Sequence, residues 1–392
     1  MRLLVHDFAG HPFAAELSRS LANRGHIVVH GYCGGVTTGR GALQTGPDDP
    51  TSLRFVDVSA APFERYSPLG RLKSELAYGR ALRELLSDIR PDAVVSANCP
   101  LAAQWLLWRA ADSLSCRKVY WLQDFLGRGT RALLSAKTKV LGSTAGRAWE
   151  GLETRLLRAA DHVVAISPDF LDELQGRGVS TPATVVENWT PLNEVTVERK
   201  WNPWSSENQL ADRPVAVYSG TLGLKHDPEH LVAAARMMKG TEMILAVVTE
   251  GLGRDYLERR KRELQLDNLR LFDFVPYETL PLVLGAADVC LVLLEPEAGK
   301  FSAPSKVLSY LAAGRPVVGA IPSDNLAART IIGAGAGTVV PPGDHRAFAR
   351  TVYEMLDNPQ RLSRMGSEAR RYAERTFAIG PIAEQFEVIL QD

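Results

Sequence analysis

Short apolar runs alternate with stretches whose apolar positions recur every three or four residues, and the alternation extends through most of the chain. "RLLVHDF" (2–8) predicts a strand, followed by a helix from about Phe13 to Asn23 that ends at Gly25. "HIVVHGYC" (26–33) and "LRFVDV" (53–58) predict the next strands. A long helix near 70–89 follows, with Leu72, Leu76, Leu82, Leu85, Leu86 and Ile89 on one side. "DAVVSAN" (92–98), "KVYWLQD" (118–124), "HVVAIS" (162–167) and "ATVVEN" (183–188) complete a first set of strands. Near-continuous apolar strands between helices predict a parallel sheet covered on both faces.

The period then lapses over "NWTPLNEVTVERKWNPWSSENQLADR" (188–213), which reads as a linker. It restarts with strands at "PVAVYSG" (214–220), "EMILAVVTE" (242–250), "LRLFDFV" (269–275), "ADVCLVLLE" (287–295), "RPVVGAI" (315–321) and "AGTVVP" (336–341). Terminal helices carry Phe348, Val352, Met355 and Leu356, then Leu362, Met365, Ala369 and Tyr372, then Ile382, Phe386, Ile389 and Leu390. The expected organisation is an α/β domain over 1–195, a linker over 196–213, a second α/β domain over 214–376 and a C-terminal helix over 377–392 that crosses back to the first. Two such sandwiches in series imply a cleft, with ligands at the carboxyl ends of the strands.

Composition narrows the class. The 392 residues favour two or three domains, and 45 basic against 45 acidic residues give no pull toward nucleic acid. Cys33, Cys99, Cys116 and Cys290 are scattered, which fits reduced cytoplasmic thiols better than a zinc site. "MRLLVHDFAG" turns polar too quickly for a signal peptide, and no apolar run is long enough to span a membrane.

Two stretches carry candidate anion chemistry. In "FSAPSKVLSYLAAGRPVV" (301–318), Pro304 suits a first helical turn, and Ser302, Ser305 and Lys306 set hydroxyls and a cation beside free backbone N–H groups. An ordinary capped helix with a solvated lysine fits that stretch equally well. In "SGTLGLKHD" (219–227), Gly220 and Gly223 allow close approach of a ligand and Lys225 adds a charge before the next helix, though taken alone the stretch reads more readily as a turn with a solvated lysine. Two such sites in one domain point toward a pyrophosphate. "GAGAG" (333–337) precedes a strand, so it reads as a turn and not as a nicotinamide fingerprint. His226 and His230 are four apart without an evident third ligand, and read as surface or capping histidines. No Asp-x-Asp pair is present to anchor a nucleotide through a divalent cation, and no Gly-x-Ser-x-Gly elbow suggests a hydrolase.

The order and spacing of "LANRGH", "ADHVVAISP", "VVENW", "YSGTLGLKHD", "VPYETLP", "PSKVLSYLAAGRPVV" and "GAGTVVPPGD" resemble the retaining GT-B glycosyltransferases of family 4, in the subgroup that builds bacterial cell-surface polysaccharides. The resemblance covers nearly the whole chain. It implies two Rossmann-like domains facing each other across a cleft, the N-terminal one binding acceptor and the C-terminal one a nucleotide sugar. It places Gly220, Thr221 and Lys225 at the donor pyrophosphate, Val275, Pro276 and Tyr277 at the nucleotide base, and Ser302, Ser305, Lys306 and Ser309 at the diphosphate and sugar. Gly10 and His11 face the donor from the first N-domain turn, and Asn188 and Trp189 lie near the domain crossing.

The chain departs from the family in places. Phe301 and Ser309 stand where two glutamates are usual, with Glu295 and Glu297 in the preceding loop, and Thr221 stands where an arginine is often found. Gln123 and Asp124 occupy the place of a frequent catalytic-side histidine, making Asp124 a candidate beside Lys225 and Lys306.

The resemblance implies front-face transfer without metal or other cofactor, the leaving phosphate accepting the acceptor's proton. UDP is the expected nucleotide, and a glycan, a glycolipid or a small aglycone the expected acceptor. A nucleotide-sugar 2-epimerase and a non-catalytic nucleotide-sugar sensor share the fold and stand as rivals. The segment 128–158 sets Arg128, Arg131, Lys137, Lys139, Arg147, Arg155 and Arg158 against Glu150 and Glu153, with Leu133, Leu134, Val140, Leu141 and Trp149 between them. It is either a solvated helix face or a surface holding the enzyme at the cytoplasmic side of a membrane.

Overall fold

A computed structural model of the chain describes residues 1–36, 40–59, 68–127, 141–223, 226–296 and 305–391. Lys225, Glu297, Phe301, Ser302 and the basic stretch 128–140 lie outside the described residues. The chain forms two compact units, one of Met1–Asn188 with Ile379–Asp392 and the other of Trp189–Ala378.

In the first unit, β1 (Arg2–Asp7), β2 (Ile27–Tyr32), β3 (Leu53–Asp57), β4 (Ala93–Ala97), β5 (Arg117–Leu122), β6 (His162–Ala165) and β7 (Ala183–Val185) form one parallel sheet in the order β3-β2-β1-β4-β5-β6-β7. The helices α1 (Pro12–Asn23), α2 (Pro68–Ile89), α3 (Leu101–Ser113), α4 (Leu141–Arg158) and α5 (Pro168–Gly176) occupy the crossovers. Every residue of β4 is buried, as expected of a strand covered on both faces. The strand order reverses between β1 and β4, whose register pairs His6 with Ser96 and Asp7 with Ala97.

The second unit repeats the plan. The strands β8 (Val215–Ser219), β9 (Ile244–Val248), β10 (Leu269–Phe272), β11 (Val289–Leu293), β12 (Val317–Ala320) and β13 (Gly337–Val340) lie parallel in the order β10-β9-β8-β11-β12-β13. Here the order reverses between β8 and β11. α6 (Pro203–Glu207) precedes these strands, α7 (Glu229–Met237), α8 (Leu252–Leu264), α9 (Leu280–Ala286), α10 (Lys306–Ala312) and α11 (Leu326–Gly333) lie between them, and α12 (His345–Leu356) and α13 (Pro359–Thr376) follow.

One stretch differs from its sequence reading. Residues 196–213, read as a linker, are built into the second unit. Asn202 and Ser205 form a reciprocal capping box at the start of α6. Trp204 is buried with its ring 5.2 Å from Phe272, and Leu210 and Ala211 are buried too. Lys200 pairs with Asp288. The order here comes from caps and aromatic packing, neither of which leaves an amphipathic period.

The last helix, α14 (Ile379–Gln391), packs on the first unit. Phe386 is fully buried edge-on against Trp121, with centroids 4.9 Å apart. Arg117 Nε donates to the Ile389 carbonyl at 3.0 Å, and Arg24 and His26 both reach the Glu387 carboxylate. No helix among the described residues is long and apolar enough to cross a membrane. Truncating a fully buried aromatic removes its transfer energy and leaves a cavity, so Phe386→Ala is expected to cost about 3–5 kcal/mol. Urea unfolding followed by tryptophan fluorescence reads this, and a loss under about 1 kcal/mol would show that α14 adds little to the first unit.

Candidate functional site

In each unit the polar chemistry gathers where the strand order reverses, at the carboxyl ends of the two flanking strands. In the second unit β8 runs into Gly220, whose φ of +130° is open to glycine and strained for other residues. The turn is held from several sides. Gly220 N–H donates to the Val248 carbonyl at 3.0 Å, Thr249 Oγ1 donates to the Gly220 carbonyl at 2.8 Å, and Tyr218 Oη donates to the Thr221 carbonyl at 3.0 Å. A β-carbon at Gly220 would lie 3.0 Å from Lys306 Nζ.

Lys306 opens α10, and Tyr310 lies one turn later on the same helix face. Buried Tyr310 places its hydroxyl 3.2 Å from both the N–H and the carbonyl of Ser219, and 3.3 Å from the Leu291 carbonyl. It thus ties α10 to both strands of the switch point. Lys306 Nζ is buried, sits 3.9 Å from the Tyr218 ring centroid and has no hydrogen-bond partner among the described residues. Burial pulls its ammonium down from the usual 10.5 to about 7. A buried cation without a counter-charge is expensive, and the Tyr218 ring face offsets only part of that cost. An anion beside Gly220 would supply the missing partner.

The other expected donor-side residues are less tightly gathered. Ser305 makes no side-chain cap hydrogen bond, so the hydroxyl cap expected at this helix start is not formed. Ser309 Oγ lies 3.4 Å from Thr190 Oγ1. Val275, Pro276 and Tyr277 follow the edge strand β10, with β9 between it and β8. Glu295 follows β11.

In the first unit β1 ends on Asp7, fully buried. The chain turns at Gly10, φ +72°, where a β-carbon would press into Leu43 at 2.6 Å, and enters α1 through His11 and Pro12. His11 donates its backbone N–H to Asp7 Oδ2 at 2.5 Å, and its ring Nδ1 lies 2.9 Å from the same oxygen. Asn98, after β4 and at φ +54°, donates to Asp7 Oδ1 at 2.8 Å. Burial opposes ionisation of Asp7, but the His11 charge, its ring bond, Asn98 and the His11 N–H together hold the carboxyl well below the usual range. Burial likewise works against a charge on His11, and Asp7 and then Asp124 outweigh it and raise the imidazole above its ordinary value. His11 and Asp124 therefore share one electrostatic environment, with Gly10 next to His11 in the chain. Gln123, beside Asp124, is occupied by an amide pair with Asn188.

Sequence reasoning passed over Asp7, Asn98, Tyr218 and Tyr310. The first had a signal, an Asp and a His four apart where a strand passes into a helix. Asn98 and the tyrosines had none. Of the two histidines read as surface or capping residues, His230 is instead buried and belongs to a cluster that leaves out His226. Asp227, His230 and His345 bring potential ligand atoms within 4.8 Å of one another. His345 Nε2 bonds Asp227 Oδ2 at 2.6 Å. His230 accepts from Gly343 N–H through Nε2 and faces the Asp227 carbonyl with Nδ1, so both its ring nitrogens are already engaged.

Paired parallel-sheet units with glycine turns at their switch points define the class, an α/β protein of the GT-B fold. A glycosyl transferase 4-like domain model matches residues 9–189, and a glycosyl transferases group 1 model matches residues 203–372. The chain belongs to the family 4 GT-B glycosyltransferases and is a glycosyltransferase. WcaI of Escherichia coli (strain K12), a glycosyl transferase named for colanic acid biosynthesis, is 25% identical over 307 residues, covering 76% of this chain and 73% of that protein. Among solved structures, sucrose-phosphate synthase of Thermosynechococcus elongatus is similar with a TM-score of 0.74 and 18% identity, over 100% of this chain and 98% of that one. HepE of Anabaena in complex with UDP-glucose gives 0.70 and 18%, over 100% and 99%. At these identities the structural likeness is one of fold.

The Asp7–His11 pair fixes the sign of two pH effects on stability. The folded Asp7 value is depressed, so its contribution is complete above the unfolded carboxyl value of about 4 and is lost as pH falls through the folded one. The folded His11 value is raised, so its contribution is complete below about 6.5 and is lost as pH rises through the folded value. Thermal melts across the pH range should therefore flatten on the acid side in Asp7→Asn and on the alkaline side in His11→Gln. Wild-type curves in both variants would refute the pairing.

Proposed function

We propose that this glycosyltransferase moves a sugar from a UDP-sugar, with retention at the anomeric carbon, to a hydroxyl of a glycan or glycolipid intermediate. The observation that carries the donor half is the buried Lys306 ammonium beside Gly220, without a hydrogen-bond partner among the described residues. Breaking the anomeric C–O bond drives negative charge onto the departing diphosphate, and fixed cations aimed at that charge lower the barrier most. Lys306 is held for that task by the Tyr310 anchor, and Lys225 adds a second charge through the family resemblance. HepE, of the same fold, binds UDP-glucose, which supports UDP as the nucleotide. The name of WcaI supports a cell-surface polysaccharide as the product. Retention rests on the family resemblance. An acceptor on a lipid carrier would suit a peripheral association with the cytoplasmic membrane face. Within the basic stretch proposed for that contact, Arg158 is engaged by the Arg177 and Gly178 carbonyls.

A panel of nucleotide sugars screened by thermal stabilisation tests the donor reading, with UDP-sugars expected to raise the melting temperature and GDP-sugars not. Losing one oriented charged donor costs about 2–4 kcal/mol at the transition state, so Lys306→Ala and Lys225→Ala should each lower turnover on the order of a hundredfold. Lys306→Met should do the same while leaving stability unchanged or higher, because it removes a buried uncompensated charge. Near-normal kinetics in either alanine variant would end that residue's assignment.

Turnover should also persist in EDTA, since the chain has no Asp-x-Asp pair and offers cations in its place. Activity lost in EDTA and restored by magnesium or manganese would overturn the cationic arrangement.

A further inference from the structure

Among the described residues, Lys306 is the one lysine whose buried Nζ has no hydrogen-bond partner. Lys118, Lys200 and Lys239 reach Asp112, Asp288 and the Leu264 carbonyl instead. The groups against Lys306 are uncharged. From β8 and its turn, the Tyr218 ring centroid lies 3.9 Å from Nζ, and a β-carbon at Gly220 would lie 3.0 Å from Nζ and 3.2 Å from Cε. On its own helix, Tyr310 turns its hydroxyl to Ser219 and to the Leu291 carbonyl of β11. Burial pushes both phenols up, and pushes the Cys290 thiol of β11 up to about 12, so all three stay neutral. At the end of β9, Thr249 donates its hydroxyl to the Gly220 carbonyl, and Arg254 donates to the Thr249 carbonyl at 3.4 Å. In the loop after β8, the His226 ring lies 6.4 Å from that of Tyr218, while Asp227 is taken by His345 and the Glu229 N–H. Glu250 follows β9 and Glu295 follows β11, and Lys225 and Glu297 lie outside the described residues. Burial moves the Lys306 amine, and no neighbouring charge is among the causes.

An amine in such a place has two ways to relieve its burial. It sheds its proton, which removes the charge, or it meets an anion, which pairs the charge. The turn offers no anion of its own, since the Gly220 N–H is already given to the Val248 carbonyl and its carbonyl accepts from Thr249. We propose that donor binding is coupled to proton uptake: the free protein holds a neutral Lys306 amine above neutral pH, and a diphosphate settling beside Gly220 draws one proton from solvent onto Nζ. The Nζ lone pair takes that proton from water or buffer, the ammonium so formed pairs with the phosphate oxygens, and no other bond is made or broken. The sign follows from linkage. The ligand favours the charged amine, so a rise in pH through the free value, about 7, opposes binding, while the paired value in the complex lies higher. Lysine is the side chain that permits this, because an arginine would stay charged throughout. Thr221, standing where the family resemblance expects an arginine, adds no permanent charge to the same turn.

The inference rests on the donor reading above, and its test separates the two. The probe is UDP-glucose, whose diphosphate is esterified at both ends and does not titrate near neutrality. Calorimetry in buffers of different ionisation enthalpy counts the protons taken up per ligand bound. About half a proton is expected at about pH 7 and about nine-tenths at about pH 8, with Kd rising about tenfold from about pH 6 to about pH 8. Lys306→Arg, ionised throughout, should bind without the uptake or the slope, and Lys306→Met should bind more weakly, again without uptake. Carbon-13 NMR of the lysine side chains, with Lys306→Met identifying the resonance, should show the free wild-type amine titrating near neutrality and the complexed one staying protonated above it. UDP-glucose binding without uptake at about pH 8, uptake that persists in both variants, or a free Lys306 that titrates with the ordinary lysines would overturn the proposal and leave the donor reading intact. A wild-type protein that binds no UDP-glucose at any pH would overturn the donor reading, and the coupling with it.

Discussion

The reversal of strand order between β1 and β4, and again between β8 and β11, is the constraint on which the rest depends. Connections leaving two neighbouring parallel strands in opposite directions leave the carboxyl ends of those strands uncovered, and this is the one place on such a sheet where a ligand can reach backbone groups. The chain fits that geometry with residues that tolerate positive φ, Gly10 and Asn98 in one unit and Gly220 in the other. Each is pinned by hydrogen bonds to a strand end: Gly10 N–H to the Asp7 carbonyl, Asn98 to the Asp7 carboxylate, and Gly220 N–H to the Val248 carbonyl. Apolar β-strands and packed helices provide the frame. The Asp7–His11 pair and the Lys306 ammonium both lie where that frame has to open.

The two openings are electrically opposite in design. In the first unit the charge is compensated, a buried carboxylate meeting an imidazole, an amide and a backbone N–H. In the second it is not. Moving the Lys306 ammonium from 10.5 to about 7 corresponds to about 5 kcal/mol against the charged form, and the cation–π contact with Tyr218 returns roughly 0.5–2 kcal/mol. A free protein bears that deficit in stability, while an anionic ligand relieves it on arrival. The first switch point thus holds a paired charge, and the second a cation without a hydrogen-bond partner among the described residues.

Sheet membership was legible because it depends on a period. Every strand predicted from an apolar run appears, including short β7, and so does the turn reading of 333–337 ahead of β13. The 188–213 stretch was illegible as structure because the Asn202 cap, the Trp204–Phe272 contact and the Lys200–Asp288 pair join residues far apart in sequence. The same limit governed the site. Lys306 and Gly220 could be named from local spacing, but that the one touches the other is a fact of tertiary packing. Asp7 and His11 stand four apart in the sequence, yet their pairing needed Asn98 from the next strand of the sheet to become a defined object. His345 could not be assigned to Asp227 at all, since nothing local connects them.

That last contact also bears on the turn after β8. The loop from Gly220 to Asp227 is tied at its start by Tyr218 and Thr249, and at its end by His226, which exchanges bonds with Gly223, and by Asp227. Asp227 caps the Glu229 N–H at 2.9 Å while His345, the first residue of α12, holds its other oxygen. A metal ion bound through His230 would have to displace either the Gly343 N–H or the proton facing the Asp227 carbonyl. The cluster therefore acts as a staple between the loop and α12. Bonds of this kind at the two ends lower the ordering entropy that any ligand reaching them would cost.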